Sequence, residues 1–338
     1  MPSRSLVVLP DDAAKPILRA IDKASKSLRV KMFVFSDPTL LKAVIAARSR
    51  GVKVKVMLNP ARKNGAEDND EARKVLIRAR VEVRAANPAF SLTHEKSMVV
   101  DDTTAFVGSL NWATKNLTQT RDYAVVTSHA REVREIIDGF EADWNRQRFA
   151  ANPSSHLVWC PGGRDRIREF IDEARHTLFV QNERYQDPVV IERLVRAAGR
   201  GVKVRVMARP PHSLKVEKLV EGVGGLRILD DVGIKVRKLK HLKLHGKMLL
   251  ADGVAAIVGS MNLTPGSFDE RRELAIVVHD DAVLERLDDV AHRDWKNSHP
   301  LDLSDDGLLA DLEDRLEAAA KLGIPHAHGD RTRGALHR

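Results

Sequence analysis

The sequence predicts an α/β protein made of two similar halves. Segments with the two-residue period of a β-strand alternate with amphipathic helical segments, which indicates the α/β class. Residues 50–57, RGVKVKVM, recur at 200–207 as RGVKVRVM. The pairs His94/Lys96 and Asp143/Trp144 recur 151 residues later, in the same order along the chain. Landmarks repeated at so large a spacing indicate a duplication of one unit rather than a short-period repeat.

The elements of each half follow in the same order. An amphipathic helix opens the first half, with one apolar stripe formed by Ile17, Leu18, Ile21 and Ala24. A β-type run (28–35) leads to a second helix (38–48) that Gly51 ends, and alternating Val and Lys residues then predict a strand. A further strand is predicted at 81–83, and a closing helix carries Val133, Ile136, Ile137, Phe140 and Trp144. The second half opens at 159–174 and closes at 283–295 by the same criteria.

We divide the chain at the limits of the repeat. Residues 1–150 form the first half, 151–300 the second, and 301–338 a C-terminal addition. Within the addition, residues 305–322 have an apolar stripe typical of an amphipathic helix, and the last dozen residues are expected to be a mobile tail. A polar loop at 60–71 corresponds to residues 209–213 in the second half.

Composition limits the classes of function. Hydrophobic residues make up 43% of 338 residues, enough to bury a core, and the formal net charge of +9 suits an anionic partner such as nucleic acid, acidic lipid or a phosphorylated small molecule. Cys160 is the only cysteine, which excludes an internal disulfide and a cysteine-rich zinc site. No apolar run approaches the ~18 residues of a membrane span, so we expect a cytoplasmic protein that contacts membranes only peripherally.

The strongest signal is a motif that occurs once in each half. Its pattern is H-x-K, then D five residues on, then G-S-x-N after six more. The first copy contains His94, Lys96, Asp101, Gly108, Ser109 and Asn111, and the second contains His245, Lys247, Asp252, Gly259, Ser260 and Asn262. Two copies at corresponding places make a chance match untenable.

The spacing predicts a β-hairpin that closes on itself. His and Lys at i and i+2 of a strand point to the same face. Asp101-Asp102 and Asp252-Gly253 have turn chemistry, and apolar return strands follow. A turn centred near residue 102 brings residue 110 opposite residue 94. Each half should therefore present a His, a Lys and an Asn together.

Two such clusters contain the groups that displacement at phosphorus requires. Two histidines supply a nucleophile and a general acid, while two lysines and two asparagines stabilise the non-bridging oxygens, so neither a metal nor a cofactor is needed. An imidazole also needs a partner that selects its tautomer. Eleven residues after each motif Asn stands an acid, Asp122 or Glu273, which we interpret as a carboxylate that orients a histidine.

These residues resemble the signature of the phospholipase D superfamily over about residues 5–298. The resemblance implies two similar α/β halves related by a pseudo-twofold axis, an active site at their interface, and a phosphohistidine intermediate. It implies catalytic roles for His94, Lys96, Asn111, His245, Lys247 and Asn262. It further implies structural or supporting roles for Asp101 and Asp252, and we assign supporting roles to Ser109, Asp122, Ser260 and Glu273. Asp122 departs from the pattern, because the family more often has Glu there.

Three functions compete on this evidence. The leading one is an enzyme of phospholipid headgroups, which either hydrolyses them to phosphatidate or transfers a phosphatidyl group to an alcohol. The alternative is a metal-independent nuclease, and the third is a non-catalytic scaffold, against which the two intact motifs argue. A basic run at 235–243 leads into His245 and is either a solvated face or a contact for an anionic substrate. With both motifs in one chain, we expect a monomer.

The division of labour between the two histidines has opposing cues. The resemblance assigns nucleophilic attack to His94 and makes His245 first acid, then base. However, the basic run lies on the His245 side, and nearby cations lower a histidine's pKa. That cue would favour His245 as the neutral nucleophile.

Overall fold

The computed structural model describes residues 3–60, 69–210 and 219–307, and it builds the two halves to one plan. The first half contains β1 (Arg4–Leu9), α1 (Lys15–Lys23), β2 (Ser27–Met32), α2 (Pro38–Ser49), β3 (Lys53–Leu58), α3 (Asp70–Arg78), β4 (Glu82–Ala85), β5 (Ser97–Val100), β6 (Thr104–Gly108), α4 (Thr114–Thr118), β7 (Thr120–Thr127) and α5 (Ala130–Trp144). The second half contains β8 (Leu157–Cys160), α6 (Arg164–Glu173), β9 (Thr177–Asn182), α7 (Pro188–Gly199), β10 (Lys203–Ala208), α8 (Leu219–Asp231), β11 (Lys235–Leu239), β12 (Lys243–Leu244), β13 (Met248–Ala251), β14 (Ala255–Gly259), α9 (Pro265–Asp269), β15 (Glu273–Val278), α10 (Asp281–Lys296) and β16 (Ser298–Pro300).

Each half has one mixed sheet with the same strand order. The first is β1-β7-β6-β5-β2-β3-β4, and the second is β8-β15-β14-β13-β9-β10-β11, extended by β16. Strands β2, β3 and β4 are parallel, as are β9, β10 and β11, and the remaining pairs within the two orders are antiparallel. The predicted α/β duplication is therefore confirmed.

The motif hairpins form as their turn residues predict. In the first half Ser97 pairs with Val107, which centres the turn at residue 102. Asp101 and Asp102 have positive φ angles, as do Asp252 and Gly253 in the second turn. Two successive residues with positive φ are typical of the type I′ turn, whose twist matches that of the strands it joins.

Helices begin and end where local chemistry favours it. Asp37 precedes Pro38 and accepts hydrogen bonds from the backbone amides of Thr39 and Leu40, while Asp187 caps α7 in the same way. After α2 the chain turns at Gly51, whose φ of 93° suits glycine better than any other residue. The sequence analysis missed β1, α3 and α4, together with their second-half equivalents. Helix α3 begins at Asp70, inside the segment predicted to be a polar loop.

The two sheets share a core. A large apolar cluster lies within each half, and another large cluster takes residues from both, among them Val125 and Ile136 from the first half and Phe179, Val258 and Leu287 from the second. Burial of apolar surface is the dominant favourable contribution to such packing. The halves are therefore joined by a hydrophobic interface and not only by their linker.

The C-terminal addition begins on the second half. Leu301 and Leu303 are buried in that half's core, and the Leu301 amide donates a hydrogen bond to the Val236 carbonyl. Residues 305–307 are helical, and the rest of the predicted 305–322 helix and tail lies outside the described residues. The division at 150, 300 and 338 stays a prediction.

Candidate active site

The residues before each motif cross into the other half. Strand β12 pairs in parallel with Thr120 and Arg121 of β7, and the backbone amide of His245 donates to the Arg121 carbonyl at 3.2 Å. Symmetrically, the His94 amide donates to the Arg272 carbonyl at 2.9 Å. The backbone of each motif histidine is thus hydrogen-bonded to the residue just before Asp122 or Glu273 in the other half.

This crossing sets the partner of each histidine. The His94 Nδ1 lies 2.9 Å from Oε2 of Glu273, and the His245 Nδ1 lies 2.7 Å from Oδ1 of Asp122. Both carboxylates are fully buried. Each of the two acids therefore contacts a motif histidine, and the pairing runs between the halves rather than within them. Because Nδ1 donates to the carboxylate, Nε2 is the ring nitrogen left for chemistry in each histidine.

Further polar groups contact Asp122 on one side of the site and His94 on the other. Ser109 Oγ donates to Asp122 at 2.6 Å, and Thr120 Oγ1 donates to it at 2.5 Å. On the other side, the Ser260 carbonyl lies 3.0 Å from His94 Nδ1, so that nitrogen faces both a carboxylate and a carbonyl oxygen. Ser109 thus binds the carboxylate that contacts His245, and the Ser260 backbone contacts His94, whereas Thr120 was not predicted from the sequence.

The motif lysines contact the backbone of the motif histidines. Lys96 Nζ donates to the His94 carbonyl, and Lys247 Nζ donates to that of His245. Lys247 Nζ also lies 3.4 Å from a Glu183 carboxylate oxygen. The side-chain oxygens of Asn111 and Asn262 are buried and have no hydrogen-bond partner among the described residues. The hairpin register pairs Gly108 with Lys96 and Gly259 with Lys247, which is the arrangement that the motif spacing predicts.

The pKa shifts differ between the two carboxylates that contact the histidines. Burial lowers the pKa of His94 well below its usual range, and Lys96, Lys247 and Arg271 lower it further. Burial raises the pKa of its partner Glu273, which Lys96 opposes. For Asp122, burial acts in the same direction, but the charge and hydrogen bond of His245 outweigh it and the pKa is lowered. Burial also lowers the pKa of Lys96 well below its usual range.

A comparison with known proteins now identifies the family. The family model described as "Cardiolipin synthase, PLD-like domain" matches the chain twice, at residues 17–144 and 167–295. The chain belongs to the phospholipase D superfamily. As in the prediction, it is an enzyme of the phosphodiesterase and phosphatidyltransferase class with two such repeats.

Individual relatives of this superfamily member are moderately similar. Cardiolipin synthase B of Shigella flexneri is 26% identical over 314 residues, which cover 78% of this chain and 73% of that protein. The mitochondrial cardiolipin hydrolase of Homo sapiens is 30% identical over 154 residues, which cover 45% of this chain and 57% of that protein. The solved phosphatidylserine synthase of Haemophilus influenzae Rd KW20 shares the fold, with a TM-score of 0.73, 95% of each chain covered and 11% identity.

Two arginines that the sequence analysis missed join the halves of this phospholipase D fold. Arg121 binds both carboxylate oxygens of Asp294 at 2.9 Å, and Arg272 binds those of Asp143 at 2.8 and 3.2 Å. All four side chains are buried. Each arginine directly precedes an orienting acid, so its ion pair fixes that acid against the opposite half. The repeat of Asp143-Trp144 at 294–295 is the sequence signal from which these two aspartates could have been identified.

The motif aspartates lie at the other end of the hairpins. Asp101 accepts hydrogen bonds from the backbone amides of residues 25–27, and Asp252 from those of 175–177. Within the described residues, neither aspartate makes a hydrogen bond or ion pair with a motif histidine or lysine. Of the two roles that the resemblance allowed, the structural one matches these positions.

The rest of the described chain adds three observations. Residues 3–60, 69–210 and 219–307 contain no group of three or more His, Cys, Asp or Glu side chains arranged to hold a metal ion. None of their helices is long and apolar enough to cross a membrane. In the basic run, Lys235, Lys240 and Lys243 are exposed, whereas Arg237 packs over the Trp295 ring and binds Ser298.

Proposed function

We propose that the enzyme cleaves phospholipid headgroups through a phosphohistidine intermediate and passes the phosphatidyl group to water or to an alcohol. The observation that carries this is the pair of histidines, each held through Nδ1 by a buried carboxylate of the opposite half. The names of the relatives, a cardiolipin synthase and a cardiolipin hydrolase, support a phospholipid substrate.

In the first step the Nε2 lone pair of His94 attacks phosphorus and the bond to the leaving oxygen breaks. That oxygen takes the Nε2 proton of His245. The phosphorylated ring of His94 carries positive charge, which the carboxylate of Glu273 stabilises through Nδ1–H. In the second step water or an alcohol gives its proton to His245 and attacks phosphorus. The P–N bond breaks and its electron pair returns to His94.

The lysines and asparagines stabilise the anionic oxygens during both steps. Lys96 and Lys247 are buried, and a phosphodiester anion beside them offsets the cost of keeping an ammonium group charged away from water. The amide N–H groups of Asn111 and Asn262 are fixed donors for the same oxygens. These groups stabilise negative charge as a metal ion does in other enzymes, so we propose that the reaction needs no metal ion. We also propose that a single chain carries out the reaction and that it contacts membranes at their surface.

Activity should survive chelation of metal ions. The test incubates the enzyme in EDTA with vesicles of mixed, acyl-labelled phospholipids and, separately, with labelled DNA and RNA. We expect phosphatidate, or a phosphatidyl-alcohol, from the lipids at a rate that EDTA does not change, with His94→Ala as the inactive control.

Other outcomes of this test have definite meanings. Turnover that EDTA abolishes and a divalent ion restores would contradict the metal-independent mechanism. Cleavage of nucleic acid without any lipid product would replace the proposed substrate by the nuclease alternative, which the exposed lysines of the basic run would then serve.

A further inference from the structure

The two halves differ in charge at one position beside the motifs. Phe33 follows the last residue of β2, and Glu183 follows the last residue of β9, the equivalent strand. The Phe33 ring lies edge-on to the His94 ring at 4.9 Å, and Lys96 Nζ lies 5.0 Å from its centre. Glu183 places a carboxylate 3.4 Å from Lys247 instead. The site is therefore apolar beside one histidine and acidic on the side of the other.

A carboxylate is unexpected in a site that binds a phosphodiester anion, because like charges repel. A role in positioning the lysine does not account for it. Lys96 makes the same bond to its motif histidine's carbonyl as Lys247 does, and it does so next to a phenylalanine. We therefore look for the role of the Glu183 carboxylate in a step of the reaction that involves His245 and not His94.

Cations already compensate the charge of Glu183. Arg209 Nη1 lies 2.6 Å from Oε1, and Lys247 lies near Oε2, while the carboxylate's side chain is only 10% exposed. Burial would raise the pKa of Glu183, but Lys247, His245 and Arg209 outweigh it and lower the pKa well below its usual range. An ionised carboxylate accepts about four hydrogen bonds, and the two cations that contact Glu183 within residues 3–60, 69–210 and 219–307 occupy only part of that capacity.

The position of Glu183 relates it to the alcohol that enters or leaves. In the proposed mechanism that alcohol exchanges its proton with His245, and Lys247 bridges the His245 carbonyl and Glu183. We propose that Glu183 is the specificity-determining residue for the acceptor, and that it binds a second hydroxyl of a neutral polyhydric alcohol while the first hydroxyl reacts. Because its charge is already compensated, it favours a polyol over a cationic amino alcohol.

This inference rests on the proposed function, and competition between matched acceptors tests it. Vesicles of acyl-labelled phosphatidylglycerol and cardiolipin are incubated with equal concentrations of 1,2-propanediol, 1-propanol and choline, and the labelled products are separated. The diol and 1-propanol differ by one hydroxyl. We expect wild-type enzyme to prefer the diol, and Glu183→Gln to lower the diol-to-propanol product ratio about five-fold through loss of a charge-assisted hydrogen bond. Glu192→Gln, a surface carboxylate paired with Arg196, is the control and should leave the ratio unchanged.

A second variant probes the same site by a gain. Arg209→Gln removes a cation from Glu183, so choline should rise relative to 1-propanol. Product ratios do not depend on how much of the enzyme is folded. Two outcomes would overturn this role of Glu183. One is a set of product ratios that neither variant changes. The other is loss of all turnover by both variants in folded protein, which would mean that the carboxylate acts by holding Lys247. Phosphatidate as the sole product of the wild-type enzyme would also overturn the role of Glu183, because water would then be the acceptor. A wild-type enzyme that forms neither phosphatidate nor any phosphatidyl-alcohol would instead refute the proposed function itself.

Discussion

At the scale of single residues, identical motifs have different surroundings. His94 faces an aromatic ring and a carboxylate whose pKa is raised, and its own pKa is lowered. His245 faces Asp122, whose pKa is lowered by the charge and hydrogen bond of that histidine against the effect of burial. This contrast supports attack by neutral His94 and proton donation by His245. The cations that lower the pKa of His94 include Lys96, Lys247 and Arg271. The basic run at 235–243 therefore no longer favours His245 over His94 as the neutral nucleophile.

The covalent intermediate should form on His94. During turnover of an acyl-labelled phospholipid, a rapid denaturing quench followed by digestion should place the label on the peptide that contains His94, because that ring is the neutral nucleophile. The variant His94→Ala should carry none. Label confined to the His245 peptide would reverse the assignment, and normal turnover with no label on either peptide would count against covalent catalysis.

The acid limb of the profile of kcat/KM against pH should lie at low pH. His94 attacks only when neutral, and its pKa is lowered from 6.5, so kcat/KM should stay high down to a pH below 6.5 and fall as the ring is protonated. Arg271→Gln removes a cation that lowers this pKa and should move the limb to higher pH. Arg134→Gln, an exposed residue paired with Asp138, serves as the control. A limb that Arg271→Gln leaves in place would show that this cation does not contribute to the low pKa.

At the scale of elements, a buried polar network ties each sheet to its closing helix. In the first half Lys31 on β2 lies 2.9 Å from Glu95 and 2.7 Å from Asp143 on α5. In the second half Gln181 on β9 takes the lysine's place and binds Asp294 and the Tyr123 hydroxyl, which come from α10 and β7. Glycine replaces glutamate at 246, where a Cβ would lie 2.8 Å from the Tyr123 ring. A lysine in the first half and a neutral glutamine in the second thus occupy equivalent places beside the closing-helix aspartates.

Loss of the Lys31 charge should be strongly destabilising. Lys31→Met removes a cation from Asp143 and leaves the buried Glu95 carboxylate with the Ser97 hydroxyl as its one side-chain partner in the part of the chain that the structure describes. Breaking a buried ion pair in this way costs about 3–5 kcal/mol. Chemical denaturation should show that loss, whereas Lys74→Met, which breaks an exposed pair with Glu71, should leave the free energy of unfolding unchanged. Equal effects of the two changes would show that the Lys31 network contributes little.

At the scale of the whole molecule, the active site depends on both halves at once. Each histidine takes its carboxylate from the opposite half, and the bidentate Arg121–Asp294 and Arg272–Asp143 pairs flank that exchange. Asp122 and Glu273 could not orient the histidines if the halves separated. One chain therefore contains every group that the proposed reaction uses.

Mixing two inactive variants should not restore activity. His94→Ala and His245→Ala each lack one of the two histidines, and a site formed within one chain cannot borrow the missing ring from another. A mixture of wild-type enzyme with either variant should keep the wild-type share of turnover, which controls for inhibition. Recovery of activity on mixing would mean that chains exchange halves or share sites.

The duplication and the α/β class follow from the sequence alone, and the same patterns predict which groups are catalytic. Those features rest on local rules: Asp-Gly turn chemistry, strand alternation and a fixed motif spacing require only neighbours in the chain. Even so, strand β1 and helix α3 escaped prediction, because their short segments carry weak periodicity.

Only the tertiary structure decided which acid serves which histidine and what surrounds each motif. Asp122 lies eleven residues after Asn111 in sequence, yet it binds His245 because the chain crosses between the halves before each motif. The contrast between Phe33 and Glu183 likewise acquires meaning only once both are seen beside motif lysines. Such pairings join residues far apart in the chain. They depend on how two sheets pack against each other, which no local pattern encodes.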